Sequence, residues 1–96
     1  MTAFEIDTTA DAVHLRLNFE VTIEHARALH QALITALTPA RPLEVDPVAL
    51  TRIDAAALQV LLAAARAASR AQLTTPSPVW TAALLRHGIT DPFVQP

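Results

Sequence analysis

The chain has 96 residues, a formal net charge of −2 and no cysteine. This length predicts one small domain over residues 1–96, because single domains cluster near about 100–150 residues. The absence of cysteine excludes disulfides and thiolate metal sites. All seven cationic residues are arginines spread along the sequence, so we expect no basic surface for nucleic acid and no polybasic patch for a membrane. The longest apolar stretch, residues 55–65, is interrupted by Gln59 and is too short to span a bilayer, so we expect no insertion into a membrane. The only glycine, Gly88, excludes the glycine-rich phosphate loop and the dinucleotide fingerprint, which need several glycines.

Hydrophobic periodicity predicts seven elements of secondary structure. Val13, Leu15 and Leu17 alternate with His14 and Arg16, which is typical of a half-buried strand. Apolar residues at spacings of three and four indicate helices elsewhere. The predicted elements are strands at 4–7 and 13–17, a helix from 22 to about 38, a strand at 43–46, a helix from 55 to about 70, a strand at 73–75 and a helix at 79–87.

Local signals set the boundaries of these elements. Pro47 is expected to end the third strand and to leave residues 48–53 irregular, with Asp46 as a turn former. Asp54 is a candidate N-cap for the second helix, worth about 1 kcal/mol, and the pair Ser77–Pro78 suits the start of the third. Gly88 suits the end of that helix, and residues 90–96 are expected to form a loose tail. The order β-β-α-β-α-β-α predicts an α/β fold with helices packed on a mixed sheet.

Three segments together resemble the STAS domain, the fold of bacterial anti-sigma factor antagonists and of the cytoplasmic tails of sulphate transporters. Residues 15–37 are similar to the second strand, turn and first helix of the family. Residues 43–62 resemble its strand ending in Asp, followed by a bridge, Ile-Asp and a Leu-rich helix. Residues 75–89 match its closing Pro-Ser, helix and Gly-hydrophobic ending. The resemblance covers about residues 12–90.

The resemblance implies a protein-binding surface at the start of the second helix. In this family the Asp before that helix precedes a Ser or Thr that a partner kinase, the anti-sigma factor, phosphorylates. Here the corresponding run is Asp54-Ala55-Ala56-Ala57-Leu58, so the acceptor position is Ala55, which has no hydroxyl, and the family glycine is Ala57. The family often has another glycine where this chain has Phe19. The expected partner-binding residues are Asp54, Ala55, Ala56, Leu58, Gln59, Glu20 and Asp46.

Other chemistries have weaker support in the sequence. Thr51 is an alternative phosphorylation site, although an exposed threonine in the segment that connects the third strand with the second helix is more often a turn residue. His25 and His30 are five residues apart and do not share a helix face, so no metal site is expected. Ser69 and Ser77 do not follow a nucleophile motif, and Trp80 is expected to pack in the core. We therefore expect a non-enzymatic protein without a cofactor, and the sequence says nothing for or against nucleotide binding.

The sequence thus predicts a cytoplasmic protein-interaction module of bacterial signalling. Its partner would be an anti-sigma factor kinase or another signalling protein, for example in a chemotaxis cluster. Because Ala55 cannot accept a phosphate, the surface would stay in its unphosphorylated, binding-competent state. The alternative is a small STAS subunit that supports the ATPase of a lipid-trafficking ABC transporter.

Overall fold

The computed structural model describes residues 2–96, and the predicted order β-β-α-β-α-β-α is confirmed. A four-stranded sheet has the order β1-β2-β3-β4, in which β1 is antiparallel to β2 while β2, β3 and β4 are parallel. The fold is therefore of the α/β class, with three helices packed on a mixed sheet. The elements are β1 Phe4–Thr8, β2 Val13–Val21, α1 Ile23–Ala36, β3 Pro42–Ile53, α2 Ala55–Ala67, β4 Arg70–Leu73 and α3 Pro78–Arg86.

The two faces of the sheet differ in polarity, as the strand alternation predicts. One face joins the buried sides of the helices in a single apolar cluster, and the other carries charged side chains that are exposed or half-buried. At this size the burial of apolar side chains is the main stabilising term. The largest fully buried side chains are Trp80, Leu15, Leu17, Leu29, Leu33, Leu43, Leu58, Leu61, Leu73, Val13, Val21 and Val45.

Strand β3 continues through Pro47, so the irregular stretch expected at 48–53 is wrong. Pro47 and Val48 together lie opposite Leu17 alone, which is a β-bulge. Proline lacks an N–H and is tolerated where the ladder is interrupted in this way. Asp46 supports the bulge, because its Oδ1 accepts a hydrogen bond from the Val48 N–H at 3.0 Å.

Helix α2 ends at Ala67, and β4 starts at Arg70 instead of the expected residue 73. Ala68 is already extended, with ψ 150, and the Ser69 N–H donates to the Arg41 carbonyl at 3.1 Å. Residues 68–70, which were predicted as the end of the helix, therefore extend towards β3 and start β4 instead. Tertiary hydrogen bonding outweighs local propensity at this end of the helix.

The two ends of α3 follow the local signals. Ser77 is the N-cap, and its Oγ accepts a hydrogen bond from the Trp80 N–H at 3.1 Å. At the other end, Gly88 has φ +64, and the Ile89 N–H donates to the Leu84 carbonyl at 2.9 Å. This pattern is a Schellman motif, which favours glycine at the left-handed position.

The C-terminal segment is packed against the domain, so the expectation of a loose tail at 90–96 is wrong. Phe93 is only 4% exposed and contacts Trp80 edge to face, with ring centroids 5.2 Å apart. The Asp91 carboxylate accepts hydrogen bonds from the Trp80 indole N–H at 3.0 Å and from the Phe93 N–H at 2.9 Å. Val94 pairs with Gln72 in parallel and covers the outer edge of β4. A few residues after α3 thus close one edge of the sheet.

Candidate functional site

The Asp54 carboxylate bonds to the first turns of two helices. Its Oδ1 accepts a hydrogen bond from the Ala57 N–H at 3.0 Å, which makes Asp54 the predicted N-cap of α2. Its Oδ2 accepts a second bond from the N–H of Ile23, the first residue of α1, at 2.8 Å. The Asp54 N–H donates to the Val21 carbonyl at 3.3 Å. One side chain therefore fixes the start of α1 relative to the start of α2.

The start of α1 has a further polar contact that the sequence reading did not identify. The Thr22 N–H donates to His25 Nδ1 at 3.1 Å, and the His25 N–H donates to the Thr22 carbonyl at 2.9 Å. Histidine here takes the position that Glu or Gln occupies in a capping box. Thr22 is the N-cap, as predicted, but this histidine side chain provides the additional bond.

A shallow cavity of about 380 Å³ lies in front of Asp54. Glu20 and Arg52 form an ion pair across its rim, with Oε1 and Nη1 3.2 Å apart, and both side chains are more than half exposed. Glu24 also lines the cavity, so three carboxylates surround one guanidinium group. The cavity is therefore mainly acidic. Its lining residues are Glu20, Thr22, Ile23, Glu24, His25, Arg52 and Asp54.

The predicted contact residues of α2 divide into exposed and buried members. Ala55 and Gln59 are exposed, and their spacing of four places them on the same side of the helix. Ala56 is half-buried. Leu58 is completely buried in the core, so its assignment to the contact surface is wrong. We call the group of Glu20, Ile23, Arg52, Asp54, Ala55 and Gln59 the Asp54 surface.

Asp46 does not belong to the Asp54 surface, in contrast to the expectation from the sequence. Its carboxylate lies on the polar face of the sheet, where Oδ2 is 3.7 Å from Arg16 Nε. Oδ1 accepts a hydrogen bond from the Thr75 hydroxyl at 3.4 Å in addition to the bulge contact with Val48. These bonds give Asp46 a structural role in β3.

Two exposed apolar side chains close to the start of α1 were not identified from the sequence. Ile23 is 71% exposed although its N–H is bonded to Asp54. Phe19 is 49% exposed and has φ 49, in the left-handed region that bulky side chains disfavour. A register irregularity follows it, which leaves Thr51 as the additional residue on β3. The sequence does contain a signal for this backbone conformation, because the STAS domains that the chain resembles often have glycine at the position of Phe19. Glycine adopts positive φ without strain.

Of the side chains considered for metal or hydrolase chemistry, those of His25 and Ser77 make hydrogen bonds at helix starts, whereas those of His30 and Ser69 are exposed. Within residues 2–96, no group of three His, Asp or Glu side chains could hold a metal ion. Ser77 is buried as the N-cap of α3, and Trp80 is fully buried, as predicted. No helix in the same range is long and apolar enough to cross a membrane.

Comparisons with known proteins agree with the fold. The chain is similar in structure to the anti-sigma factor antagonist SpoIIAA in its unphosphorylated form, with a TM-score of 0.76 and 19% identity over 98% of this chain and 87% of that one. It is also similar to an anti-sigma factor antagonist from Mycobacterium paratuberculosis, with a TM-score of 0.76 and 16% identity over 96% of this chain and 82% of that one. A search of curated protein sequences gave no match. The family model described as "Mlab, STAS domain" matches residues 4–95, and the chain therefore belongs to this STAS family.

Proposed function

We propose that this chain is a non-enzymatic, cytoplasmic protein-interaction module of bacterial signalling, and that the Asp54 surface binds its partner. The observation that carries the proposal is the exposure of Ala55 and Gln59 beside Asp54 at the start of α2, in a member of the STAS family. The two structural relatives described above are anti-sigma factor antagonists, which supports a partner of the anti-sigma factor kinase class.

The proposed surface has one state because it lacks an acceptor for phosphate. A phosphoryl group at position 55 would add about −1.5 to −2 charges. That charge would lie beside Asp54 and near Glu20 and Glu24, so it would change the electrostatics of an already acidic surface. Ala55 has no hydroxyl, and the surface keeps its unphosphorylated charge. Any control of binding then acts on the partner or on protein concentration.

The first experiment tests the binding surface. Each anti-sigma factor kinase of the bacterium that encodes this protein is titrated with the protein and with its variant Ala55→Glu. We expect Ala55→Glu to weaken binding at least about tenfold, because a charge and four heavy atoms enter the interface. The matched control is Ala63→Glu, which places the same side chain at an exposed position of the same helix outside the Asp54 surface. If both variants bind as the unchanged protein does, the partner binds elsewhere.

The second experiment tests the missing switch. Incubation with the bound kinase, Mg²⁺ and ATP should leave the intact mass of the protein unchanged. The variant Ala55→Ser should gain one phosphate at position 55 and lose affinity. A phosphate on the unchanged protein would contradict the proposal of a single state, and Thr51, which is exposed, is the first position to map.

The second candidate function is a small subunit that supports the ATPase of a lipid-trafficking ABC transporter. The exposure of Ile23 and Phe19 favours it, because permanent complexes bury more apolar surface than transient ones. Binding to a transporter ATPase that is lost in Ile23→Ser, combined with no binding to any kinase, would select this function. Binding to a kinase alone would select the first.

A further inference from the structure

Strand β1 forms an open edge of the sheet. It pairs with β2 and with no other strand among residues 2–96. The Asn18 N–H donates to the Ala3 carbonyl at 2.9 Å, and Ala3 therefore belongs to a hydrogen-bonded pair of the antiparallel ladder. Because such pairs alternate, Glu5 and Asp7 also direct their backbone groups towards β2. The N–H and C=O groups of Phe4, Ile6 and Thr8 consequently point away from the sheet.

The opposite edge of the sheet is closed, which makes the open edge distinctive. At β4 the Val94 N–H donates to the Ala71 carbonyl at 2.9 Å, and the Leu73 N–H donates to the Val94 carbonyl at 2.9 Å. Natural proteins commonly cover or charge the edges of their sheets to prevent unwanted pairing. Here the C-terminal segment covers the edge at β4. The edge at β1 is not covered and has only the charged side chains of Glu5 and Asp7 to limit unwanted pairing.

Charges alternate from strand to strand across the polar face of the sheet. Glu5 of β1 lies opposite Arg16 of β2, whose Nε is 3.7 Å from Asp46 Oδ2 of β3. In the neighbouring row, Asp7 lies opposite His14, whose Nδ1 is 3.7 Å from Glu44 Oε1. Each row therefore runs acid, base, acid from β1 to β3, with His14 contributing when it is protonated. In a strand added outside β1, basic side chains opposite Glu5 and Asp7 would continue this alternation of charge in both rows.

The other side of β1 favours apolar residues in an added strand. Phe4 and Ile6 pack against the core cluster, but both are only half-buried because they lie at its edge. Side chains of an adjacent strand would cover their exposed parts. The two sides of β1 together define a segment in which apolar and basic residues alternate.

We propose that the open edge of β1 binds an extended segment of a partner protein in which apolar residues alternate with arginine or lysine. The backbone of this segment would pair with Phe4, Ile6 and Thr8, and its basic side chains would lie opposite Glu5 and Asp7. This is strand addition, in which main-chain bonds supply affinity and alternate side chains supply specificity. The site is separate from the Asp54 surface and shares none of its residues.

The same charges disfavour a second copy of this chain as the occupant. An antiparallel pairing of β1 with another β1, centred on Ile6, would place Glu5 of each copy opposite Asp7 of the other. Like charges directly opposite each other across strands are destabilising. The acidic side chains of β1 therefore favour a basic partner, and they disfavour a second copy of this chain because the two acidic edges would repel each other.

A peptide titration tests this site directly. The probes are two short, end-blocked peptides, one alternating valine with arginine and the other alternating valine with glutamate. We expect the arginine peptide to shift the backbone amide NMR signals of Phe4, Ile6 and Thr8 and to leave that of Ala55 unchanged. The glutamate peptide should bind at least about tenfold more weakly.

Variants at Thr8 and Asp7 separate backbone pairing from charge. Thr8→Pro removes an outward N–H, which an edge strand tolerates, and should abolish the shifts, whereas Thr8→Val keeps the N–H and should not. Asp7→Lys should weaken binding of the arginine peptide about three- to tenfold and strengthen that of the glutamate peptide. Asp7 is the better position for this test because Glu5 also accepts a hydrogen bond from the Asn18 amide.

Three results would overturn the proposal. The first is equal binding of the two peptides, and the second is the absence of shifts at the β1 amides at millimolar peptide. The third is a concentration-dependent shift of the same amides without peptide, which would assign the edge to a second copy. None of these results depends on the partner of the Asp54 surface, so this proposal and the proposed function fail separately.

Discussion

The contact between Asp54 and Ile23 should contribute measurably to folding stability. Replacing Asp54 by alanine removes the N-cap of α2, which typically costs about 1 kcal/mol. It also removes the bond to the Ile23 N–H, which is charge-assisted and 2.8 Å long. Bonds to charged groups contribute about 1.5–3 kcal/mol, but Ile23 is 71% exposed and water can replace part of this bond. We estimate about 1 kcal/mol for it and about 2 kcal/mol for Asp54→Ala in total.

The variant Asp54→Asn isolates the contact between the helices. Asparagine is as good an N-cap as aspartate, so its Oδ1 can keep the bond to Ala57. Its amide nitrogen cannot accept a hydrogen bond from Ile23. We therefore expect a loss of about 1 kcal/mol for Asp54→Asn, half that of Asp54→Ala. Urea unfolding at constant m-value measures both, and Tm should fall by about 4–8 °C per kcal/mol.

A double-mutant cycle provides the control. Ile23→Pro removes the donor at the first helical position, where proline is well tolerated. Because each single variant removes the same bond, the two losses should not add in Ile23→Pro/Asp54→Asn, and the coupling should be about 1 kcal/mol. Additive losses, or an Asp54→Asn variant as stable as the unchanged protein, would refute the reasoning.

Three other predictions concern single side chains. Leu58→Ala should lower the free energy of unfolding by about 2–5 kcal/mol in urea titrations, whereas Gln59→Ala should change it by less than about 0.5 kcal/mol; equal effects would contradict the burial of Leu58. Phe19→Gly should be about 1 kcal/mol more stable than Phe19→Ala in the same assay, because both lose the ring but only glycine is unstrained at φ 49; equal stabilities would contradict that backbone conformation. Asp91→Ala should shift the fluorescence of the only tryptophan, Trp80, to longer wavelength and increase its quenching by acrylamide, while circular dichroism stays unchanged; unchanged emission would mean that Asp91 does not hold the C-terminal segment.

The predictions from sequence succeeded where a structure depends on neighbouring residues. Caps, helix periodicity and strand alternation depend on residues that are close in sequence. They placed both ends of α3 to within one residue and correctly identified the buried face of β2. Asp54 was recognised as an N-cap for the same reason. The same local patterns gave the order of the elements. The family resemblance added the position of Ala55.

The predictions failed where partners distant in sequence decide the structure. Pro47 normally ends a strand, but a bulge opposite Leu17 accommodates it. The C-terminal residues have few local signals, and only the fold brings Phe93 to Trp80. The bond between Asp54 and Ile23 joins residues 31 positions apart, so no local pattern could reveal it.

This bond also connects the stability of the fold with the proposed function. The Asp54 surface is formed by two helix starts, with Ile23 on α1 and Ala55 on α2, and the carboxylate between them fixes their relative position. A surface that is already ordered loses less conformational entropy when a partner binds. Such preorganisation suits a module that has no phosphate switch.

Calorimetry of the Asp54→Asn variant tests this preorganisation. With the partner selected by the Ala55→Glu experiment, we expect affinity to fall about three- to tenfold and the entropy of binding to become less favourable. The measurement is made at a temperature at which circular dichroism shows the variant to be fully folded, so that lost stability does not contribute. The Leu62→Val variant, which perturbs the core away from the surface, is the control for a general loosening of the domain. An unchanged affinity in Asp54→Asn, or an equal loss in both variants, would show that the bond between the two helices does not prepare the surface for binding.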